Sequence, residues 1–250
     1  MIDFHTHILP CIDDGAIDEK TALQMLDIAF KQDIKTIVFT PHYYGTESVE
    51  DFLQKRQSSF AKIQQNIPKG INTVLGAEVH FNGTNVYNFD KLKELTIANT
   101  KYILIEFPFI EGWSSALIQK LFTFMEQTDC IPILAHIERY IEVRNNPKLV
   151  STLVEAGCLL QVNASSFLDK QNKRFAFTLL KKGLVHCIGS DAHNVAERIS
   201  QYDKTKGIII KAGFESEWTL IQNTMKVILQ NEPVLVRKPG KVKKIFGFYL

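Results

Sequence analysis

Ile2-Asp3-Phe4-His5-Thr6-His7 opens the chain. A short run of this composition reads as a β-strand, and in a strand residues i and i+2 share a face. His5 and His7 therefore point the same way, and at that spacing both imidazoles reach one metal ion. Seven histidines in 250 residues will sometimes fall this way by chance. The pair gains weight from repetition: candidate ligands recur at the downstream end of each later strand-like run.

Working outward, apolar runs predict strands at Ile2–His7, Thr36–Thr40, Thr73–Val79, Tyr102–Phe107, Ile131–His136, Cys158–Asn163 and Val185–Gly189. Between them, amphipathic runs predict helices at Ile17–Lys31, Val49–Gln65, Ser115–Gln127, Pro147–Glu155 and Asn172–Lys182, with a short helix starting near Phe89. Ala22, Leu26, Ala29 and Phe30 have the spacing of a buried helical face. Two further helices are expected at Val195–Ala212 and Glu217–Gln230, and Gly157, Gly183 and Gly213 stand where helices should stop. Alternation with short joins implies a parallel sheet with right-handed crossovers. Seven such units suit a closed or nearly closed α/β barrel, with an open doubly wound sheet as the alternative. Neither G-x-G-x-x-G nor G-x-x-x-x-G-K-[ST] is present, so neither common nucleotide-phosphate loop is expected.

Length and composition agree with one domain over residues 1–250 that ends in a basic and aromatic tail at 236–250. Net charge is +2, which makes no case for nucleic-acid binding. No apolar run approaches the ~20 residues of a membrane span. No leader is expected before Ile2, and the widely spaced Cys11, Cys130, Cys158 and Cys187 read as reduced thiols of a cytoplasmic protein. Arg237, Lys238, Lys241, Lys243 and Lys244 precede Ile245–Leu250. That tail suits packing on the body, with peripheral contact at an anionic membrane or a partner as the alternative.

Strand ends carry the chemistry. They offer His5 and His7, the Asp13-Asp14-Gly15 turn, His42, Glu78, Glu106, His136, Asn163, and the Ser190-Asp191-Ala192-His193 run. In parallel barrels these ends share one mouth, which holds the active site. Each residue alone has a structural explanation, as a core histidine, a helix cap or an ion pair. Several carboxylates buried together are costly without cations. Five imidazoles and four carboxylates exceed one ion's needs and suit two or three divalent transition-metal ions, with mixed N/O ligation fitting Mn, Fe or Zn. Clustered ions hydrolyse phosphate esters by activating water and stabilising phosphoryl oxygens. Arg139 and Arg198 lie near the same mouth, and a guanidinium fork suits phosphate.

His5-Thr-His7, Pro41-His42, Gly76-Ala-Glu78, Ile105-Glu106-Phe-Pro, Ala135-His136-Ile-Glu-Arg139 and Ser190-Asp191-Ala-His193 together resemble the polymerase-and-histidinol-phosphatase (PHP) superfamily. Within it, His5 to Gly15 and Ala135 to Tyr140 resemble the bacterial manganese-dependent protein-tyrosine phosphatases of capsular and exopolysaccharide loci. The resemblance runs from residue 2 to about 230. It implies a distorted (β/α)7 TIM-like barrel with a trinuclear site, manganese being the first choice of metal. His5, His7, Glu78 and Asp191 would hold one ion, Glu78, Glu106 and His136 a second, and Asp14, His42 and His193 a third. Cys11 stands where relatives tend to have Gly, and Ser200 follows Arg198 where they often have Pro.

The function implied is attack of metal-bound hydroxide on phosphotyrosine in a protein, with the tail of a bacterial tyrosine kinase controlling polysaccharide export as partner. A phosphatase of histidinol phosphate or another small phosphomonoester is the alternative enzyme, and a non-catalytic scaffold barrel the alternative outside enzymes. No cysteine is followed six residues later by arginine, which excludes a thiol-based tyrosine phosphatase. The Asp13-Asp14 turn and the Tyr43-Tyr44 loop are expected to shape a slot for the aryl ring.

Overall fold

A computed structural model describes residues 1–82, 88–109, 113–236, 240, 242, 244, 245, 248 and 249. Besides a two-stranded antiparallel pair in the tail, its strands are β1 (Ile2–Thr6), β2 (Thr36–Phe39), β3 (His42–Tyr43), β4 (Asn72–Leu75), β5 (Glu78–His80), β6 (Tyr102–Glu106), β7 (Ile131–Leu134), β8 (Leu159–Asn163) and β9 (Cys187–Gly189), which make the barrel. All pair in parallel, β1 with β2 and β2 with β4 in one set, and β3-β5-β6-β7-β8-β9 in the other. The two sets form one ring, because β2 continues into β3 and β4 into β5. The expected second strand ends at Phe39, with the unforeseen β3 following after Thr40-Pro41, and the expected third is interrupted at Gly76-Ala77. Pro41 has no N–H for the ladder. Below the breaks β2 pairs with β1 and β4, and above them β5 pairs with β3 and β6.

The ring closes where the last strand returns to the first. The Asp191 amide donates to the His5 carbonyl at 2.9 Å, and the His7 amide to the Ala192 carbonyl at 3.0 Å. Asp3, on the same strand face as His5 and His7, accepts the Ser190 amide at 2.7 Å. A side chain on Gly189 would put its Cβ 2.3 Å from the His5 Cβ, so only glycine lets the two strands meet. The open-sheet alternative is thereby set aside in favour of the barrel.

Helices cover the ring outside: α1 (Glu19–Lys31), α2 (Val49–Ile63), α3 (Phe89–Leu92), α4 (Ser115–Thr128), α5 (Ile141–Asn145), α6 (Lys148–Glu155), α7 (Lys173–Lys181), α8 (Tyr202–Lys211) and α9 (Glu215–Leu229). Side-chain caps start α1, α2 and α4, where Asp18, Ser48 and Ser114 accept the amides of Thr21, Asp51 and Leu117. Gly157, Gly183 and Gly213 take positive φ after α6, α7 and α8, as helix stops do. With helices outside and side chains filling the interior, all five residues of β1, β6 and β8 are buried.

Three local expectations change. Helix α1 starts at Glu19 and buries Ala22, Met25, Leu26 and Ala29; Phe30 lies off that face, half exposed beneath the Lys35 ammonium. The predicted strand from Val185 is short, beginning at Cys187. The predicted helix from Val195 begins only at Tyr202, because the Asn194 carboxamide oxygen accepts the amides of Ala196 and Arg198 and closes a turn instead. The tail's described residues lie on the body: Tyr249 packs on Phe175 and donates to the Arg144 carbonyl, and Lys244 donates to the Asn145 side chain. Arg237, Lys238, Lys241, Lys243, Phe246 and Leu250 fall outside the described residues. Among the described residues, no helix is long and apolar enough to cross a membrane.

Candidate metal centre

Each strand end delivers its side chain to the same end of the barrel. His5 lies within β1 and His7 just after it; His42 and Glu78 begin β3 and β5, and Glu106 ends β6. His136 and Asp191 follow β7 and β9 with φ of 33° and 53°. That left-handed backbone is uncommon outside glycine and turns the chain sharply at the strand end. His5, His7, Glu78, His136 and His193 are all at most 1% exposed.

Glu78 stands at the middle. Its Oε2 lies 3.0 Å from His5 Nε2, 3.2 Å from His7 Nε2 and 3.2 Å from His42 Nδ1. Its Oε1 lies 3.0 Å from His136 Nε2, which is also 3.2 Å from Glu106 Oε1. Asp191 Oδ1 is 3.7, 3.5 and 3.5 Å from nitrogens of His5, His7 and His193. Asp14 is exposed, with Oδ1 3.3 Å from His193 Nε2 and 3.6 Å from His42 Nε2. Three sets have ligand atoms mutually within 4.8 Å: His5, His7 and Glu78; His42, Glu78 and Glu106; and His7, Asp14, His42 and His193. These sets hold seven of the nine residues expected as ligands, with His7, His42 and Glu78 each in two; His136 and Asp191 join the cluster through their contacts with Glu78, Glu106, His5, His7 and His193.

This donor set fits divalent cations. His5 Nε2 and His7 Nε2 face one another at 3.0 Å, and His136 Nδ1 and His193 Nε2 are buried without a hydrogen bond. Buried polar atoms are ordinarily satisfied. The charges in the cluster are strongly coupled. Burial would raise the Glu78 and Glu106 carboxyls, but the imidazoles around them outweigh it, holding Glu78 well below its usual range and Glu106 at about 2. Burial would lower His7 and His136, yet hydrogen bonds with Asp13, Glu78 and Glu106 push them up to about 10 and about 9. The carboxylates stay ionised, and without an ion it is protonated imidazoles that balance them.

Partners behind the donors fix their orientation. Asp13 turns inward, away from the expected slot: it meets His7 Nδ1 at 2.7 Å and accepts the amides of His42 and Gly15. His193 Nδ1 faces the Asp191 carbonyl at 2.9 Å. Gln161 Oε1 accepts the His136 amide at 2.6 Å and stands 3.3 Å from His5 Nδ1. Gln161 Nε2 donates to Asn163, whose Nδ2 donates to Asp191 Oδ2 at 2.8 Å. In each of His5, His7 and His193, Nδ1 is engaged and Nε2 is presented, the arrangement metal-bound histidines use. Gln161 was not singled out from sequence, although a glutamine within the apolar run 158–163 was a usable signal.

Arg139 and Arg198 converge on one carboxylate, Arg139 Nη1 3.2 Å from Asp191 Oδ2 and Arg198 Nη2 3.1 Å from Asp191 Oδ1. The turn made by Asn194 carries Arg198 there. The Ser200 carbonyl accepts from the Gln32 side chain, anchoring that turn to α1. Cys11 has φ of 58°, a backbone conformation that favours glycine; its exposed thiol donates to the Ile17 carbonyl. All four cysteines are free thiols.

Fold and site have the form of the metal-dependent hydrolase barrels, in which donors gather at the carboxyl ends of parallel strands. The chain belongs to the capsular polysaccharide synthesis CpsB/CapC family, whose model matches residues 1–229. It is 35% identical to the tyrosine-protein phosphatase YwqE of Bacillus subtilis over the full length of both. It is 30% identical to the tyrosine-protein phosphatase CpsB of Streptococcus agalactiae, over 79% of this chain and 85% of that one. Crystal structures of YwqE from B. subtilis and CpsB from Streptococcus pneumoniae, described as unique metal-dependent tyrosine phosphatases, include a chain 32% identical with a TM-score of 0.80, covering 98% of this chain and 100% of that one. A phosphotriesterase homology protein from Escherichia coli superposes at a TM-score of 0.55 and 10% identity, over 88% of this chain and 94% of that one, a likeness of fold alone.

Proposed function

We propose that this chain is a metal-dependent protein-tyrosine phosphatase. The carrying observation is the convergence of nine N/O donors and two arginines at one barrel mouth. The likeness to tyrosine-protein phosphatases over its whole length supports the same reading. His5, His7, Asp14, His42, Glu78, Glu106, His136, Asp191 and His193 would hold two or three divalent ions, manganese before iron or zinc. Such ions, when bound, supply an activated water and Lewis-acid stabilisation of phosphoryl oxygens.

The chain's own residues supply the rest. Arg139 and Arg198 meet the two oxygens of one carboxylate, a spacing that also suits two oxygens of a phosphoryl group. Asp13, Gln161 and Asn163 hold the donors in place. In the hydrolysis, a water oxygen bonds to phosphorus, the P–O(aryl) bond breaks, and the phenolate leaves with the electron pair before taking a proton. Phenol has a pKa near ~10, so the departure needs little help from an acid. The substrate proposed is a phosphotyrosine tail of a bacterial kinase that controls capsule or exopolysaccharide export, in keeping with the family's role.

The test is metal content measured beside turnover of a phosphotyrosine peptide and of histidinol phosphate. The expected result is two or three transition-metal ions per chain, with higher kcat/KM on the peptide, loss of activity on chelation and little effect of thiol alkylation. Better turnover of histidinol phosphate would replace this reading with the small-molecule one, and absence of any hydrolysis by the metal-loaded protein would favour the scaffold.

A further inference from the structure

Two large aromatic side chains at the mouth are half exposed. Tyr44 is 45% exposed and Phe109 43% exposed. Each stacks on an imidazole of the cluster. Tyr44 lies on His42, with centroids 4.9 Å apart and planes 24° apart. Phe109 lies on His136 at 5.4 Å and 23°, backed by Tyr140 at 4.9 Å and 19°. The Arg139 guanidinium sits 4.9 Å from the Phe109 centroid. His42 and His136 both approach Glu106, at 3.8 and 3.2 Å. The two exposed rings therefore cap the cluster by way of the two imidazoles that meet at Glu106.

The neighbouring tyrosine behaves differently. Tyr43 is buried, packs edge-on to Phe52 and donates to the Glu47 carbonyl. It belongs to the wall, and of that pair only Tyr44 reaches the mouth. Phe30, the third half-exposed aromatic among the described residues, lies on α1 beneath Lys35 and touches no residue of the cluster.

We infer that Tyr44 and Phe109 form an aromatic clamp that selects aryl over alkyl phosphomonoesters by stacking on the ring of the substrate. This rests on the phosphatase reading above. A phosphoryl group taken by Arg139 leaves its ester oxygen beside Phe109, since the guanidinium lies against that ring. An aryl group next to that oxygen meets a phenyl face, whereas the single methylene of a phosphoserine offers no face to stack. Offset aromatic pairs hold at the centroid separations this mouth already uses between its own rings. Tyr44 and Phe109 are specificity residues here, and neither takes part in bond breaking.

The experiment compares metal-loaded protein with Phe109→Ala, Phe109→Leu, Phe109→Tyr and Tyr44→Ala on two peptides of one sequence, carrying phosphotyrosine or phosphoserine. Metal content is measured for each variant. The ratio of kcat/KM for phosphotyrosine to that for phosphoserine is expected to fall roughly 3- to 10-fold in each alanine variant, chiefly through KM on phosphotyrosine. Phe109→Leu keeps apolar bulk over His136 and is expected to lose the ratio as alanine does, while Phe109→Tyr restores it. Equal loss on both peptides would overturn the clamp, because Phe109 would then act only by supporting His136 and Arg139. An unchanged ratio in an unsubstituted background that favours phosphotyrosine would also overturn the clamp and leave the phosphatase reading standing. If the unsubstituted protein favours phosphoserine, both fall together.

Discussion

His136 and His186 are both buried imidazoles, 1% and 6% exposed, at opposite ends of β7 and β9, the two strands that flank β8 in the wall. Burial alone pulls each towards the neutral form. At the mouth, Glu78 and Glu106 reverse that pull and His136 rises to about 9. At the far end His186 accepts the Leu160 amide at 3.0 Å, has no carboxylate among the groups that shift it, and falls to about 4. Equal burial thus gives opposite charge. What marks the candidate centre is the convergence of acids on imidazoles, and a buried histidine by itself carries no such mark.

The comparison breaks most severely at Glu78. Glu78→Gln keeps the shape but removes the charge that four imidazoles face. Turnover is expected to fall by on the order of 10³ or more, together with metal stoichiometry. Metal analysis showing full occupancy in that variant would remove Glu78 from its central role.

Arg139→Ala tests the rim against the interior. A charge-assisted contact to the phosphoryl group is lost while the donors stay, so kcat should fall about 10²–10³ with metal content unchanged. Loss of metal alongside activity would place Arg139 with the donors instead.

His186 sharpens the other side. Its folded pKa lies below the unfolded value of 6.5, so on acidification the unfolded chain takes up the proton first. Stability from this group is complete above pH 6.5 and declines as pH falls towards about 4. The full decline is at most about 3 kcal/mol. Urea midpoints of the parent and His186→Gln, followed between pH 7 and pH 4, isolate it, since contributions of the distant cluster cancel in the difference. Parallel curves would mean that His186 titrates normally in the fold.

Gln161→Ala gives the smallest effect. It releases His5 Nδ1 and the His136 amide without touching a donor atom, and metal affinity should weaken about 10- to 100-fold. Competition with a chelator of known affinity measures this.

Much of this contrast was legible in the chain. Period-two placement of His5 and His7, and polar residues ending otherwise apolar runs, put the nine donors at one mouth. Local rules could not supply what the third dimension decides. Asp13 and Asp14 are adjacent and alike in sequence, yet the turn sends one behind His7 and leaves the other exposed. Helix propensity favoured 195–201, but the single Asn194 side chain claimed two amides and set the turn that delivers Arg198. Phe109 follows Phe107 and Pro108 in a stretch that reads as core; its exposure depends on where β6 ends relative to β7. Gln161 is polar among Leu159, Leu160 and Val162, and only the register of β8 against β7 reveals that it serves two histidines at once.

The hydrogen bonds that join His5 and His7 to residues 191 and 192 also set an order of events during synthesis. His5 and His7 are made long before the far wall of their site, which lies about 185 residues later in the chain. At 5–20 residues per second, the ribosome needs on the order of ten seconds or more to reach β9 after β1 has emerged. Until then the first strand has a neighbour on one side only, and no set that includes His193 can assemble. Complete assembly of this centre consequently follows synthesis of residue 193, and truncation before it would leave a polypeptide with most of the histidines of residues 1–250 and an incomplete site.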